Sequence, residues 1–286
     1  MNLTCAISPD ADDRFMFRAI ELGLIDTDGL TFTLTTRDTD LLNQMAVGDG
    51  PDVTAISIAH YPKVAAAYRL LNHGGSVGRN YGPVVVAKPG RALDLTGLRI
   101  AVPGLTTTAC LVLRLITRFE PVVIPIVPMT RVFDALDRDE VDAALLIHEG
   151  RLTYGDRGFE HRLDIGAWWH GQTALPLPLG GNVIRRGLPA EVLTRADRVL
   201  RASIAHALDH RDDAIAWLLA GGTALKSPAQ VDAYLALYAN ADTLDYGDDG
   251  RRGVQELLRR GAAAGWLPPV GDVDFVGAAP TRPGPG

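Results

Sequence analysis

Leu98-Arg99-Ile100-Ala101-Val102-Pro103-Gly104-Leu105-Thr106-Thr107-Thr108 is the stretch on which the reading of this chain turns. A short apolar run gives way to a glycine that permits an unusual turn, and three hydroxylated residues then open a helix. That helix is expected over residues 106–117. Residues 122–127 read as a strand, 131–136 as a helix and 143–147 as a strand, with the first strand of the series at 98–102. Short apolar runs alternating with helical periodicity are the rhythm of a mainly parallel sheet.

The same rhythm runs upstream. Strands are expected at residues 3–8, 31–36, 53–57 and 84–87. Helices are expected at 13–22, with Asp12 or Asp13 as N-cap, and at 39–47 and 59–67. Downstream the pattern is helical, at 190–208, 214–219, 228–238 and 250–264. The tail from Gly271 onward is rich in Gly, Pro and Ala and is expected to be disordered. Lys88-Pro89-Gly90 and the Pro/Leu stretch at 175–179 read as the two crossings between units. They divide the chain into a discontinuous lobe of residues 1–88 and 175–286 and an inserted α/β lobe of residues 89–174. The fold class is therefore α/β, in the two-lobed layout of type II periplasmic-binding-protein folds. Such folds hold ligands in an interlobe cleft and close by hinge motion.

Composition narrows the function. The chain has 286 residues, 47% of them apolar and 22% charged, enough for a sizeable core. A net charge of −6 without any Lys/Arg run argues against nucleic acid as partner. Cys5 and Cys110 are far apart and suggest neither a disulfide framework nor a metal knuckle. No stretch approaches the roughly 18 uninterrupted apolar residues of a membrane span. The N-terminus has no basic segment followed by an apolar one of about 7–15 residues. The expected location is the cytoplasm, with no membrane partner.

Open α/β sheets bind ligands at the carboxyl ends of their strands, so the residues just after each strand carry the functional reading. Ala55-Ile56-Ser57 is the first such place. The Ser57 hydroxyl either caps the next helix, its preferred use, or binds an anion. Thr106-Thr107-Thr108 is the second, where free N–H groups and the positive end of the helix dipole suit a carboxylate. This loop has neither the Lys of a Walker A motif nor GxGxxG spacing. The third is His148, delivered by the apolar run Leu145-Leu146-Ile147 and followed by Glu149, which either orients it or faces solvent. Imidazole suits general acid–base work near neutral pH. His206 and His210 lie four apart without an evident third ligand, so no metal is expected. His60, His73, His161 and His170 have no recognisable partners. Asp12 and Asp13 are adjacent and do not read as the paired carboxylates of a carbohydrate hydrolase.

Several segments together resemble the 1,4-dihydroxy-6-naphthoate synthase family of the futalosine route to menaquinone. They are Ser8-Pro9-Asp10-Ala11-Asp12-Asp13-Arg14-Phe15-Met16-Phe17, Gly82-Pro83-Val84-Val85-Val86-Ala87, Val102-Pro103-Gly104 with Thr107-Thr108-Ala109, Ile147-His148-Glu149-Gly150-Arg151-Leu152-Thr153-Tyr154, and Asp164-Ile165-Gly166-Ala167-Trp168-Trp169 with Leu175-Pro176-Leu177-Pro178-Leu179-Gly180. The resemblance covers residues 8–246. It implies a cofactor-free lyase that converts cyclic dehypoxanthine futalosine, an aromatic carboxylate, into 1,4-dihydroxy-6-naphthoate with loss of a three-carbon fragment. It also implies His148 as proton acceptor and Ala55, Ile56, Ser57, Thr107 and Thr108 as substrate-binding residues. One departure stands out. The family's first strand ends Ser-Pro-Cys-Pro-Asn-Asp-Thr-Phe, whereas this chain has Ser8-Pro9-Asp10-Ala11-Asp12-Asp13-Arg14-Phe15. Arg14 is then available to pair with Asp10 or to meet the substrate.

Two other readings compete. One is a non-catalytic solute-binding protein for a small carboxylate; the other is the chorismate dehydratase that shares the fold. A homodimer is common among such enzymes, and nothing in the sequence decides that point.

Overall fold

A computed structural model describes residues 1–90, 94–126 and 128–277. The chain begins with β1 (Asn2–Ile7), α1 (Ala11–Glu21), β2 (Thr31–Thr36), α2 (Thr39–Met45) and β3 (Val53–Ser57). A 3₁₀ turn (Ile58–His60) leads to α3 (Tyr61–Val64), β4 (Tyr68–Leu71) and β5 (Ser76–Gly78). The inserted unit comprises β6 (Val84–Ala87), β7 (Arg99–Val102), α4 (Thr108–Ile116), β8 (Glu120–Val123), α5 (Thr130–Asp137), β9 (Ala143–Leu146), α6 (Gly150–Thr153), β10 (Glu160–Asp164) and α7 (Ile165–Thr173). The return strand β11 (Leu177–Arg185) precedes α8 (Ala190–Asp209), α9 (Arg211–Ala220), α10 (Pro228–Tyr238), α11 (Ala241–Leu244), α12 (Gly247–Ala263) and β12 (Phe275–Val276).

The strands form two sheets. One has the order β12-β4-β11-β3-β1-β2, with β5 also paired to β11; the other runs β10-β6-β9-β7-β8. In the first, β1 is parallel to β2 and β3, while β11 is antiparallel to β3, β4 and β5. In the second, β7 is parallel to β8 and β9, and β6 is antiparallel to β9 and β10. Every residue of β6 and β9 is buried. Strands covered on both faces read as continuous apolar runs, which is why Val84–Ala87 and Ala143–Leu146 are legible as strands.

Three expectations need correction. Val84–Ala87 belongs to the second sheet, with Val84 opposite Leu146 and Val86 opposite Ala144, so the crossing precedes it and does not follow Lys88. The helix expected at 59–67 is only a 3₁₀ turn and one α turn around Pro62, because the chain must leave to form β4. The tail is ordered at Phe275–Val276, which pairs with Leu70 and Leu71 of β4. Residues 278–286 of that tail, and Val127 of the expected strand 122–127, lie outside the described residues.

Both sheets share one buried apolar cluster. It runs from Ile56, Ile58 and Leu70 through Cys110, Leu111 and Leu113 to Val85 and Leu145. Packing of α4 against the 3₁₀ turn and β11 therefore joins the lobes beneath the cleft. Trp169 lies in this cluster, wholly buried, with its indole N–H donating to Pro176 O at 3.1 Å. It braces the return crossing and does not line the cleft.

Candidate active site

The carboxyl ends of β1, β3 and β9 and the start of α4 converge on one cleft of about 730 Å³, including its open mouth. Ala55, Ile56 and Ser57 form one wall, Thr107, Thr108 and Ala109 a second, and His148 with Asp12, Asp13 and Tyr234 a third. All six residues singled out from the sequence thus border the same space. Among the described residues, no lysine or arginine lines the cleft.

The hydroxyls of the first two walls are already engaged. Ser57 does not cap the turn that follows it. Its Oγ instead accepts from Asn43 Nδ2 at 3.1 Å, and its N–H donates to Asn43 Oδ1 at 2.8 Å. Thr107 is the N-cap of α4: its Oγ1 accepts from Cys110 N–H at 3.3 Å and donates to Gly104 O at 2.8 Å. Thr108 Oγ1 donates to Leu179 O at 2.7 Å and accepts from Ala59 N–H at 3.1 Å. Thr106 is tied to Asp40 and accepts from Asn43 Nδ2 at 2.9 Å. Gly104 is required here, since a Cβ would run into the Asp40 carboxylate. The threonine hydroxyls therefore build the wall and are not the expected anion donors. What the wall offers a ligand is the first turn of α4, whose N–H groups other than the capped one of Cys110 lack intrahelical acceptors and carry the positive end of the dipole.

The third wall is acidic. Helix α1 starts two residues earlier than expected, at Ala11, with Asp10 at its N-cap position. Asp12 and Asp13 occupy its first turn, and all three are buried. Asp13 Oδ2 accepts from Ser8 N–H at 2.6 Å. Asp12 accepts from Tyr234 Oη at 2.9 Å through one oxygen and from Ser76 Oγ at 2.8 Å through the other. His148 has φ 49° and so presents its ring from a left-handed turn after β9. Its Nδ1 lies 3.3 Å from Asp10 Oδ2 and 3.4 Å from Tyr234 Oη; its Nε2 lies 3.4 Å from Thr39 Oγ1. Glu149 does not face solvent; it is buried beside His148.

Burial and mutual repulsion govern the titration of these acids. Burial, then the neighbouring Asp12, pushes the Asp10 carboxyl up to about 7. Asp13 moves in the same direction for the same two reasons. Glu149 also rises to about 7, chiefly through burial and then through the charge of Asp10.

Arg14 meets neither Asp10 nor the cleft. It donates to Gly222 O at 2.9 Å and stacks over Trp217 at 4.8 Å. His73 does have a partner, Asp197, at 3.1 Å. His206 and His210 stack on each other with ring centres 4.1 Å apart. The residues that sequence reasoning missed are Asp12, Asp13, Ser76 and Tyr234. Three acids within one helix start exceed what a dipole needs, and that signal was available for the aspartates.

A sequence model described as menaquinone biosynthesis matches residues 3–263. The chain is 37% identical over 268 residues to a protein of Thermus thermophilus named 1,4-dihydroxy-6-naphtoate synthase, covering 93% of this chain and 96% of that one. A Streptomyces coelicolor protein of the same name is 35% identical over 276 residues, covering 94% and 96%. The crystal structure of an Archaeoglobus fulgidus protein superposes with TM-score 0.86 at 40% identity, covering 93% of this chain and 98% of that one. A Candida albicans gene product described as exhibiting the generic periplasmic binding protein fold superposes with TM-score 0.71 at 13% identity, covering 96% and 93%. That last likeness bears on the fold alone, and the two-lobed class expected from the sequence is the observed one.

Proposed function

The chain belongs to the menaquinone-biosynthesis family, and on that premise we propose that it is the carbon–carbon lyase forming 1,4-dihydroxy-6-naphthoate from cyclic dehypoxanthine futalosine. The observation that carries this reading is the convergence of His148, Ser57 and the first turn of α4 on one cleft. The aromatic carboxylate lies against the first turn of α4, where N–H groups and the helix dipole favour an anion. His148 is then the general base, removing a proton from the ribose-derived part. Carbon–carbon cleavage and aromatisation follow, with release of a three-carbon fragment.

The site needs no charged donor for this task. The Thr107 and Thr108 hydroxyls each hold another part of the wall, so the start of α4 is fixed before the substrate arrives. Preorganised dipoles of this kind need little rearrangement during the reaction. The work takes place in the cytoplasm, on a small molecule, without nucleic acid or membrane.

Mass spectrometry after incubation with the cyclic futalosine tests the proposal. Appearance of 1,4-dihydroxy-6-naphthoate is the expected result. Consumption of chorismate with no turnover of the futalosine would assign the chain to the dehydratase. Thermal stabilisation by small carboxylates alone, with no turnover of either compound, would assign it to solute binding.

A further inference from the structure

We infer that Tyr234 and Asp12 are positioning residues that hold the His148 imidazole in the tautomer bearing hydrogen on Nδ1, leaving Nε2 as the basic nitrogen. The inference rests on the proposed role of His148 and adds which nitrogen acts and what selects it.

The argument follows the protons. Tyr234 is wholly buried on α10, and its single hydroxyl proton has two neighbours within reach. Asp12 Oδ1 is 2.9 Å away and His148 Nδ1 is 3.4 Å away. A carboxylate oxygen is the stronger acceptor and the shorter contact, so the phenol donates to Asp12. The lone pairs of the phenol oxygen then face Nδ1, and the ring must supply the hydrogen there. Asp12 cannot turn away, because Ser76 Oγ holds its other oxygen at 2.8 Å. Asp10 Oδ2, 3.3 Å from the same ring nitrogen, is a second acceptor on that side and has no hydrogen-bond partner of its own.

The opposite nitrogen meets different chemistry. Nε2 lies 3.4 Å from Thr39 Oγ1, a hydroxyl able to donate to its lone pair. Acceptors at Nδ1 and a donor at Nε2 specify one neutral tautomer. Both 3.4 Å separations are long for hydrogen bonds, and such contacts tighten when a substrate fills the site. Burial and the nearby carboxylates hold the Tyr234 phenol well above its ordinary value, so it keeps the proton it donates.

Nitrogen NMR of ¹⁵N-histidine-labelled protein at about pH 8.5 reads the tautomer directly. The His148→Gln variant assigns the signal. The expected wild-type result is a pyrrole-type Nδ1 and a pyridine-type Nε2. Tyr234→Phe should move the ring toward a mixture and lower kcat about tenfold, a fraction of the full general-base contribution, with KM within about twofold. Asp12→Ala should behave like Tyr234→Phe. Asp12→Asn should recover most of the loss, because the amide oxygen still accepts from the phenol. A pyridine-type Nδ1 in the wild type, or unchanged kcat and tautomer in Tyr234→Phe, would overturn the inference. Retained turnover in a variant lacking His148 would instead overturn the base assignment, an outcome the NMR result does not depend on.

Discussion

Thr108 Oγ1 stands 2.7 Å from Leu179 O and accepts the Ala59 N–H at 3.1 Å, so one hydroxyl ties the start of α4 to both β11 and the 3₁₀ turn. Thr108→Val keeps the shape and loses both bonds, leaving a buried carbonyl and a buried N–H unsatisfied. The expected loss of stability is about 1–3 kcal/mol for each group left unpaired. Because α4 also forms a cleft wall, KM should rise more than kcat falls. Urea unfolding with steady-state kinetics checks both, and Thr108→Ser should behave like the wild type.

His148→Ala should lower kcat by about 10²–10⁴-fold, the usual contribution of a general base. Its ring is not part of the carboxylate wall, so calorimetric titration of substrate should show affinity within a few-fold of wild type. Loss of binding in step with turnover would argue that the ring holds the ligand and does not take its proton.

Asp10 and Glu149 titrate near 7 in the folded chain, well above their values in an unfolded one. The folded state therefore binds more protons than the unfolded state between about pH 4 and 7. Their contribution to stability is fully present below the unfolded pKa near 4 and is lost as pH rises through about 7. Melting temperature should fall across that window, and Asp10→Asn should flatten the fall. A slope unchanged in Asp10→Asn and in Glu149→Gln would count against these shifts.

Gly104→Ala places a methyl group against the Asp40 carboxylate, which is bonded to Thr106. Thr106 in turn is linked through Asn43 to Ser57. Overpacking of this kind costs typically 1–3 kcal/mol. Thermal unfolding should show the loss. Removing the carboxylate as well, in a Gly104→Ala, Asp40→Ala double variant, should cost less than the sum of the two single changes.

The fold was legible where burial is two-sided or periodic. Ala143–Leu146 and Val84–Ala87 are apolar throughout, and Pro228–Tyr238 begins with Ser227 as a true N-cap. Which sheet Val84–Ala87 joins was not legible, because pairing with β9 is a non-local choice. Tyr68–Leu71 carries Arg69 and spans only four residues, too few for a periodic signal. In the site, the sequence named residues at strand ends but misjudged the use of their hydroxyls. Adjacency suggested that Asp12 and Asp13 point apart, yet both border the cleft, since Asp13 turns back to Ser8 N–H while Asp12 reaches Tyr234. Tyr234 lies 86 residues beyond His148, and nothing local marks it.

The backbone of His148 has one further consequence. Its φ of 49° lies in a region that residues with a Cβ adopt only at some energetic cost, and where asparagine is among the better-tolerated residues. His148→Asn should therefore melt no lower than the wild type while being catalytically dead. Selection for thermal robustness alone would then not preserve the imidazole at this position. The left-handed turn accepts either side chain, so what singles out the imidazole here is its acid–base chemistry and not the backbone.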